Sequence, residues 1–144
     1  MFTHLHNHTE YSLLDGLSSI DQYLSKAQKC GFESLAITDH GNMHGVVDFY
    51  RKCKSANIHP VIGCEYYAVP FGTDETNKIR SAHHMLVLAQ TQTGYNNMMK
   101  LSHLSYEYGK YYKPRITNNW LTTYNEGLIV TSGCMAAHLS LIHI

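Results

Sequence analysis

Hydrophobic and polar positions along this chain follow two periods, one of two residues and one near 3.6. Residues 2–7 (FTHLHN) read at period two and predict a first strand. From about Ser19 the period lengthens. Ser19 and Gln22 have capping-box spacing, Ile20, Tyr23, Leu24 and Ala27 form an apolar stripe, and Gly31 ends the helix. SLAIT (34–38) reads as a short buried strand, and 43–57 as a second helix with Val46, Val47, Phe49, Tyr50 and Cys53 as its apolar positions. PVIG (60–63) and EYYAV (65–69) read as strands broken at Gly63-Cys64, and 71–81 as a polar surface loop. A strand at 84–90, a helix at 93–109, a connecting segment at 111–117, a short helix at 118–125 and a buried strand at 128–132 complete the series. Strand and helix alternating in short units predict an α/β fold with a parallel sheet and right-handed crossovers. No internal repeat or low-complexity segment is visible. The ending AAHLSLIHI follows a buried strand without a helix to cover it, so the chain is expected to be a piece of something longer.

Composition narrows the class. The chain has 144 residues, one domain's worth, and is 44% hydrophobic and only 15% charged. Eleven Lys plus Arg balance eleven Asp plus Glu, so no basic field announces nucleic acid. Eleven histidines are the outlier. The first twenty residues are polar and do not read as a signal peptide, and no apolar run approaches the roughly 20 residues a membrane span needs. Cys30, Cys53, Cys64 and Cys134 show no CxxC spacing, which predicts reduced thiols in a cytoplasmic protein, Cys30 and Cys53 packing in helix faces.

The histidines bring in chemistry. His4, His6 and His8 alternate along the first predicted strand and would share a face. Asp39 and His40 follow the second strand, Glu65 the third, His83 and His84 lead into the fourth, and Cys134 follows the last. In parallel α/β barrels functional groups gather at the carboxyl ends of strands; only the His83-His84 pair precedes its strand. Such a set suits zinc, with manganese or iron as alternatives, and adjacent metals favour phosphoester hydrolysis. Taken singly, each feature has a plainer reading. The HxH pair could be hydrogen-bonded, Asp39-His40 and Asp15-Gly16 could be turns, Glu65 a half-buried strand acid, and Cys134 packing. His44, His59, His103, His138 and His143 lack such context, and Glu10 and Tyr11 have no assigned role.

The stretches HLHNHTEYSLLDGL, SLAITDHGNMHGVVDFY, IHPVIGCEYYA, HHMLVLAQTQTGYNNMMKLS, YYKPRI and GLIVTSGCMA together resemble the N-terminal PHP (polymerase and histidinol phosphatase) domain of bacterial DNA polymerase III alpha subunits. The resemblance covers residues 2–137, and the tail 138–144 does not follow it. It implies a distorted (β/α)7 barrel, incomplete at its C-terminal side here, with up to three metals, zinc foremost. His6, His8, Asp15, His40, Glu65, His84 and Cys134 stand at the family's ligand positions, which selects His84 over His83. His4 replaces an Asp of the wider superfamily, as in the polymerase branch, and His4 and Asp39 are expected to touch ligands rather than metal. The family needs a further Asp and His beyond Cys134, which His138 and His143 do not match. A start at Met1 suits the form without a preceding OB-fold.

By the same resemblance the chain is a fragment of a replicative DNA-directed DNA polymerase whose PHP domain acts as a metal-dependent 3′–5′ proofreading exonuclease. The alternatives are a stand-alone PHP phosphoesterase and a non-catalytic scaffold for the proofreading subunit. Polymerisation itself would use magnesium and carboxylates far downstream. The implied partners are DNA, deoxynucleotides, the proofreading exonuclease, the sliding clamp and the clamp loader, in the cytoplasm and away from membranes. The fragment alone is expected to be unstable and inactive.

Overall fold

The capping box expected at Ser19 forms in the computed structural model, which describes residues 2–13, 15–134 and 137. Ser19 Oγ accepts from Gln22 N at 3.3 Å while Gln22 Oε1 accepts from Ser19 N at 2.9 Å, starting helix α1 (Ile20–Lys29). Gly31, at φ +69°, turns the chain out of that helix. Strand β1 (Ser34–Ile37) follows, then helix α2 (Val46–Ser55). The apolar faces of α1 and α2 bury Ile20, Leu24, Phe49 and Cys53 against Leu35 and Ile37 of β1. Val47 and Tyr50 of α2 stay about half exposed, so only part of the predicted stripe is core. Cys30 is exposed at the end of α1, and Cys53 is buried.

Strand β2 (His59–Ala68) runs unbroken through Gly63-Cys64. What changes at Gly63 is the partner. Residues 59–62 pair with β1 in parallel, and residues 63–68 pair antiparallel with β3 (His83–Ala89), with Gly63 opposite Leu88 and Tyr67 opposite His84. A Cβ at Gly63 would meet Thr38 Cγ2 at 2.9 Å, so the strand reads as interrupted in sequence because its crowded switch point admits no side chain.

Helix α3 (Gln92–Glu107) carries the chain to strand β4 (Arg115–Ile116), parallel to the end of β2. A short helix, α4 (Asn118–Thr123), precedes strand β5 (Leu128–Ser132), antiparallel to β3. The sheet is therefore mixed, in the order β1-β2-β3-β5, rather than parallel, and it is open among the described residues. The cause is the polar stretch 71–81. It contains no helix, so β3 returns beside β2 as in a hairpin. The buried guanidinium of Arg115 secures that stretch by donating to the carbonyls of Asn77 (2.9 Å) and Ile79 (3.0 Å). β5, expected to be buried, exposes Ile129 and Val130, because among the described residues it ends the sheet and pairs only with β3.

Residues 2–7 form no regular strand. They run beside β1, where His4 O accepts from Ala36 N (3.2 Å) and Asn7 O from Thr38 N (3.0 Å). Alternation along β2 then divides its side chains. Cys64, Tyr66 and Ala68 pack with Val87, Met98, Leu101 and Ile116 under α3, leaving Glu65 and Tyr67 to the opposite face. No helix of the described residues is long and apolar enough to cross a membrane.

The core assignment predicts a contrast within α2. Phe49→Ala, at a position 1% exposed, is expected to cost about 3–5 kcal/mol in urea denaturation. Val47→Ala, 54% exposed, should stay within about 0.5 kcal/mol. Similar losses at both positions would contradict the packing described.

Candidate metal centre

Glu65 stands in mid-strand, 1% exposed, between Leu86 of β3 and the residues that follow β1. His40 forms a parallel bridge to it, with Gly41 N donating to Glu65 O (2.9 Å) and Glu65 N donating to Asp39 O (3.0 Å). The strand thereby carries a carboxylate into the interior, where an unpartnered charge is costly. Imidazoles supply the partners. His6 Nε2 and His8 Nε2 each lie 2.6 Å from Glu65 Oε2, and 3.1 Å from one another. His84 Nδ1 lies 2.6 Å from Oε1. His84 reaches the cluster because β3 runs antiparallel, which puts its first residues at the same rim as the end of β1.

Asp15, in the exposed turn after His8, completes the ring. Its Oδ2 is 3.2 Å from His8 Nδ1 and 2.8 Å from His40 Nε2. Three sets of donor atoms result, each with members within 4.8 Å of one another: His6, His8 and Glu65; His8, Asp15 and His40; His40, Glu65 and His84. His8, His40 and Glu65 each belong to two sets. The buried Nδ1 of His40 has no hydrogen-bond partner and stands 3.6 Å from Glu65 Oε2. Convergent imidazole nitrogens and carboxylate oxygens, one buried nitrogen being unpartnered, fit a borderline cation such as zinc.

Charge follows the geometry. Burial alone would push the Glu65 carboxyl up, but hydrogen bonds from His8 and His6 and the nearby His40 outweigh it and hold it down at about 2. The bond to Glu65 raises His8 above its ordinary value. Burial lowers His40, favouring the neutral ring with a lone pair to offer.

Cys134 is exposed in the segment after β5 and belongs to none of the three sets. That segment nevertheless passes the site: a Cβ at the preceding Gly133 would lie 3.0 Å from Glu65 Oε1 and 3.2 Å from His84 Cβ. His83 starts β3 opposite Ala68, outside the sets. The His4 ring packs against Phe2 (4.7 Å) and Phe32 (5.3 Å), and His4 belongs to none of the three sets. His138 and His143 lie outside the described residues.

Asp39 does touch the ligand framework, through its turn. It is 1% exposed and accepts from Thr9 N (2.6 Å), Thr9 Oγ1 (2.8 Å) and Ser12 Oγ (3.0 Å). Ser12 Oγ in turn accepts from His40 N at 3.0 Å, so one buried acid sets both His8 and His40. Several supporting residues carried no motif. Tyr23 of α1 donates from its hydroxyl to His8 O (2.9 Å). Glu10 caps α1 by accepting from Ile20 N (2.9 Å). Tyr67 stacks parallel to His40 at 5.7 Å. Only Tyr67 had a readable signal, lying two residues beyond Glu65 on the same strand face.

The family profile described as the PHP domain matches residues 4–144. A DNA polymerase III subunit alpha from Chlamydia pneumoniae is 44% identical over 139 residues, and one from Treponema pallidum is 45% identical over 141. These alignments cover 94% and 96% of this chain, which spans only 11% and 12% of those relatives' length. A crystal structure of a candidate metal-dependent phosphoesterase from Bifidobacterium adolescentis shares the fold, with a TM-score of 0.52 and 19% identity. That match covers 72% of this chain and 32% of the other.

The Glu65 environment sets a pH dependence for chelator-treated protein. A carboxyl held at about 2, against an ordinary 4.5, stabilises the fold fully above pH 4.5 and loses that contribution as pH falls through 2. The urea midpoint should therefore drop as pH falls across that window, and drop less in Glu65→Gln. Equal slopes in both proteins would contradict the assignment.

Proposed function

The chain belongs to the PHP domain family, and from that premise we propose that it is the metal-binding portion of a DNA polymerase III alpha subunit and hydrolyses phosphodiester bonds at the 3′ ends of DNA. The observation that carries this reading is the gathering of His6, His8, His40, His84 and Asp15 around the buried Glu65 carboxylate. In this reading the three donor sets hold up to three ions, zinc first and manganese or iron as alternatives, with Cys134 offered from the segment that passes Glu65. Bound ions of this kind supply Lewis acidity and a water that ionises near neutral pH.

The chain's own residues do the rest. Glu65 contributes a fixed negative charge that persists down to about pH 2, countering the cationic character of its surroundings. His40 presents a neutral nitrogen, and Asp39 keeps His8 and His40 at constant spacing through Thr9 and Ser12. Asp15, exposed at the mouth, offers its Oδ2 between His8 Nδ1 and His40 Nε2 as the carboxylate of the second donor set. The parent's magnesium-dependent polymerase activity on DNA and deoxynucleotides is part of the same proposal, as are its association with a proofreading exonuclease, a clamp and a clamp loader, and its cytoplasmic location. The name those relatives carry, DNA polymerase III subunit alpha, supports the polymerase reading and partners in replication in general.

Full-length protein purified without chelator is expected to carry metal by elemental analysis and to shorten single-stranded oligodeoxynucleotides from the 3′ end. Glu65→Gln should lose bound metal, and its hydrolysis should fall by about 100-fold or more, since even residues supporting a metal's ligands cost 10- to 100-fold. Full metal content with undiminished hydrolysis in that variant would refute the reading. Hydrolysis of small phosphomonoesters alone would point to a phosphoesterase unconnected with DNA.

A further inference from the structure

A groove of about 590 Å³ adjoins the candidate metal centre and shares Asp15, His40 and His84 with it; Tyr11, Tyr67, Tyr106, Tyr112 and Lys113 line its wall. Its aromatic rings are organised with cations. Lys113 Nζ lies 4.2 Å over the Tyr67 ring, and Tyr67 lies parallel to His40, at an interplanar angle of 8°. Tyr112 occupies the tip of a tight turn closed by Tyr111 N donating to Lys113 O at 3.1 Å. Its φ is +61°, in the left-handed region that residues with side chains rarely adopt. The residue is 67% exposed, so burial does not compensate for that conformation. The Arg80 guanidinium lies 3.9 Å over the ring centre. A strained, solvent-facing aromatic at the lip of a reactive site calls for a ligand-based reason.

The charge pattern narrows the ligand. Among the described lining residues Lys113 is the one Lys or Arg and Asp15, at the metal-centre end, the one acid, so the groove suits one or two phosphates rather than a polyanionic duplex. Tyrosines beside a lysine are the means by which proteins hold unpaired bases and the backbone between them, with little sequence preference. We propose that this groove is a nucleotide subsite. Lys113 faces the phosphate next to the bond presented to the metal centre, and Tyr112, backed by Arg80, stacks an unpaired base. The inference rests on the phosphodiester reading above and deepens it. It names the side chains that favour a single strand over a small phosphoester.

The test uses full-length protein and a hexathymidylate carrying 5-iododeoxyuridine next to its 3′ end. Irradiation followed by mass spectrometry should place the crosslink on Tyr112, and Tyr112→Gly should abolish it; glycine keeps the left-handed turn while removing the ring. In hydrolysis of unmodified hexathymidylate, Tyr112→Gly and Lys113→Gln should each raise KM about tenfold with kcat and metal content unchanged. Tyr112→Phe and Lys113→Arg should restore KM, and bis(p-nitrophenyl) phosphate should be turned over equally by all. A crosslink elsewhere, or unchanged KM in a protein that still degrades the oligonucleotide, would overturn the subsite alone. Absence of all hydrolysis would count against the phosphodiester reading, and the crosslink would still decide whether the groove takes a base.

Discussion

A carboxylate 1% exposed in the middle of a strand is the constraint on which the rest of this structure turns. Ionised Glu65 needs donors or cations in a place that water barely reaches. Three elements far apart in sequence are drawn to it. The segment beside β1 brings His6 and His8, the stretch following β1 brings His40, and the start of β3 brings His84. The mixed sheet follows the same need. Only a β3 antiparallel to β2 places its beginning, rather than its end, at the rim where β1 stops.

A second buried acid works differently. Asp39 finds its donors in a backbone N–H and two hydroxyls, none of which titrates in the working range, so it fixes a turn. Glu65 finds its donors in imidazoles, which can give up their protons and turn lone pairs toward a cation. The two acids divide support from ligation. Around them, Tyr23 ties His8 to α1, and Tyr67 ties His40 to the aromatic groove.

Much of this was legible in the residues. Ser19, Gln22 and Gly31 announced α1 because capping depends on local chemistry alone, and the positions of His6, His8, His40 and Glu65 near strand ends pointed to one rim, with His84 the exception because it precedes its strand. The failures share a cause: they depend on which strand lies beside which. The chain from 71 to 81 lacks a helix, and that absence signalled a hairpin-like return, yet the surrounding strand-helix rhythm argued for parallel strands. Gly63 read as a break, although it marks a change of partner within one strand. The roles of Asp39, Ser12 and Thr9 emerged only from the folded turn, since their side chains meet across about thirty residues.

The central claim is that these donors gather to hold metal, with Glu65 as the shared ligand. Anomalous diffraction from crystals of the full-length protein, collected across the zinc and manganese absorption edges, tests it most directly. The account predicts peaks bounded by Glu65 and by His6, His8, His40 and His84. Crystals grown with either ion that show no peak there, with His6 and His8 still bonded directly to Glu65, would contradict it.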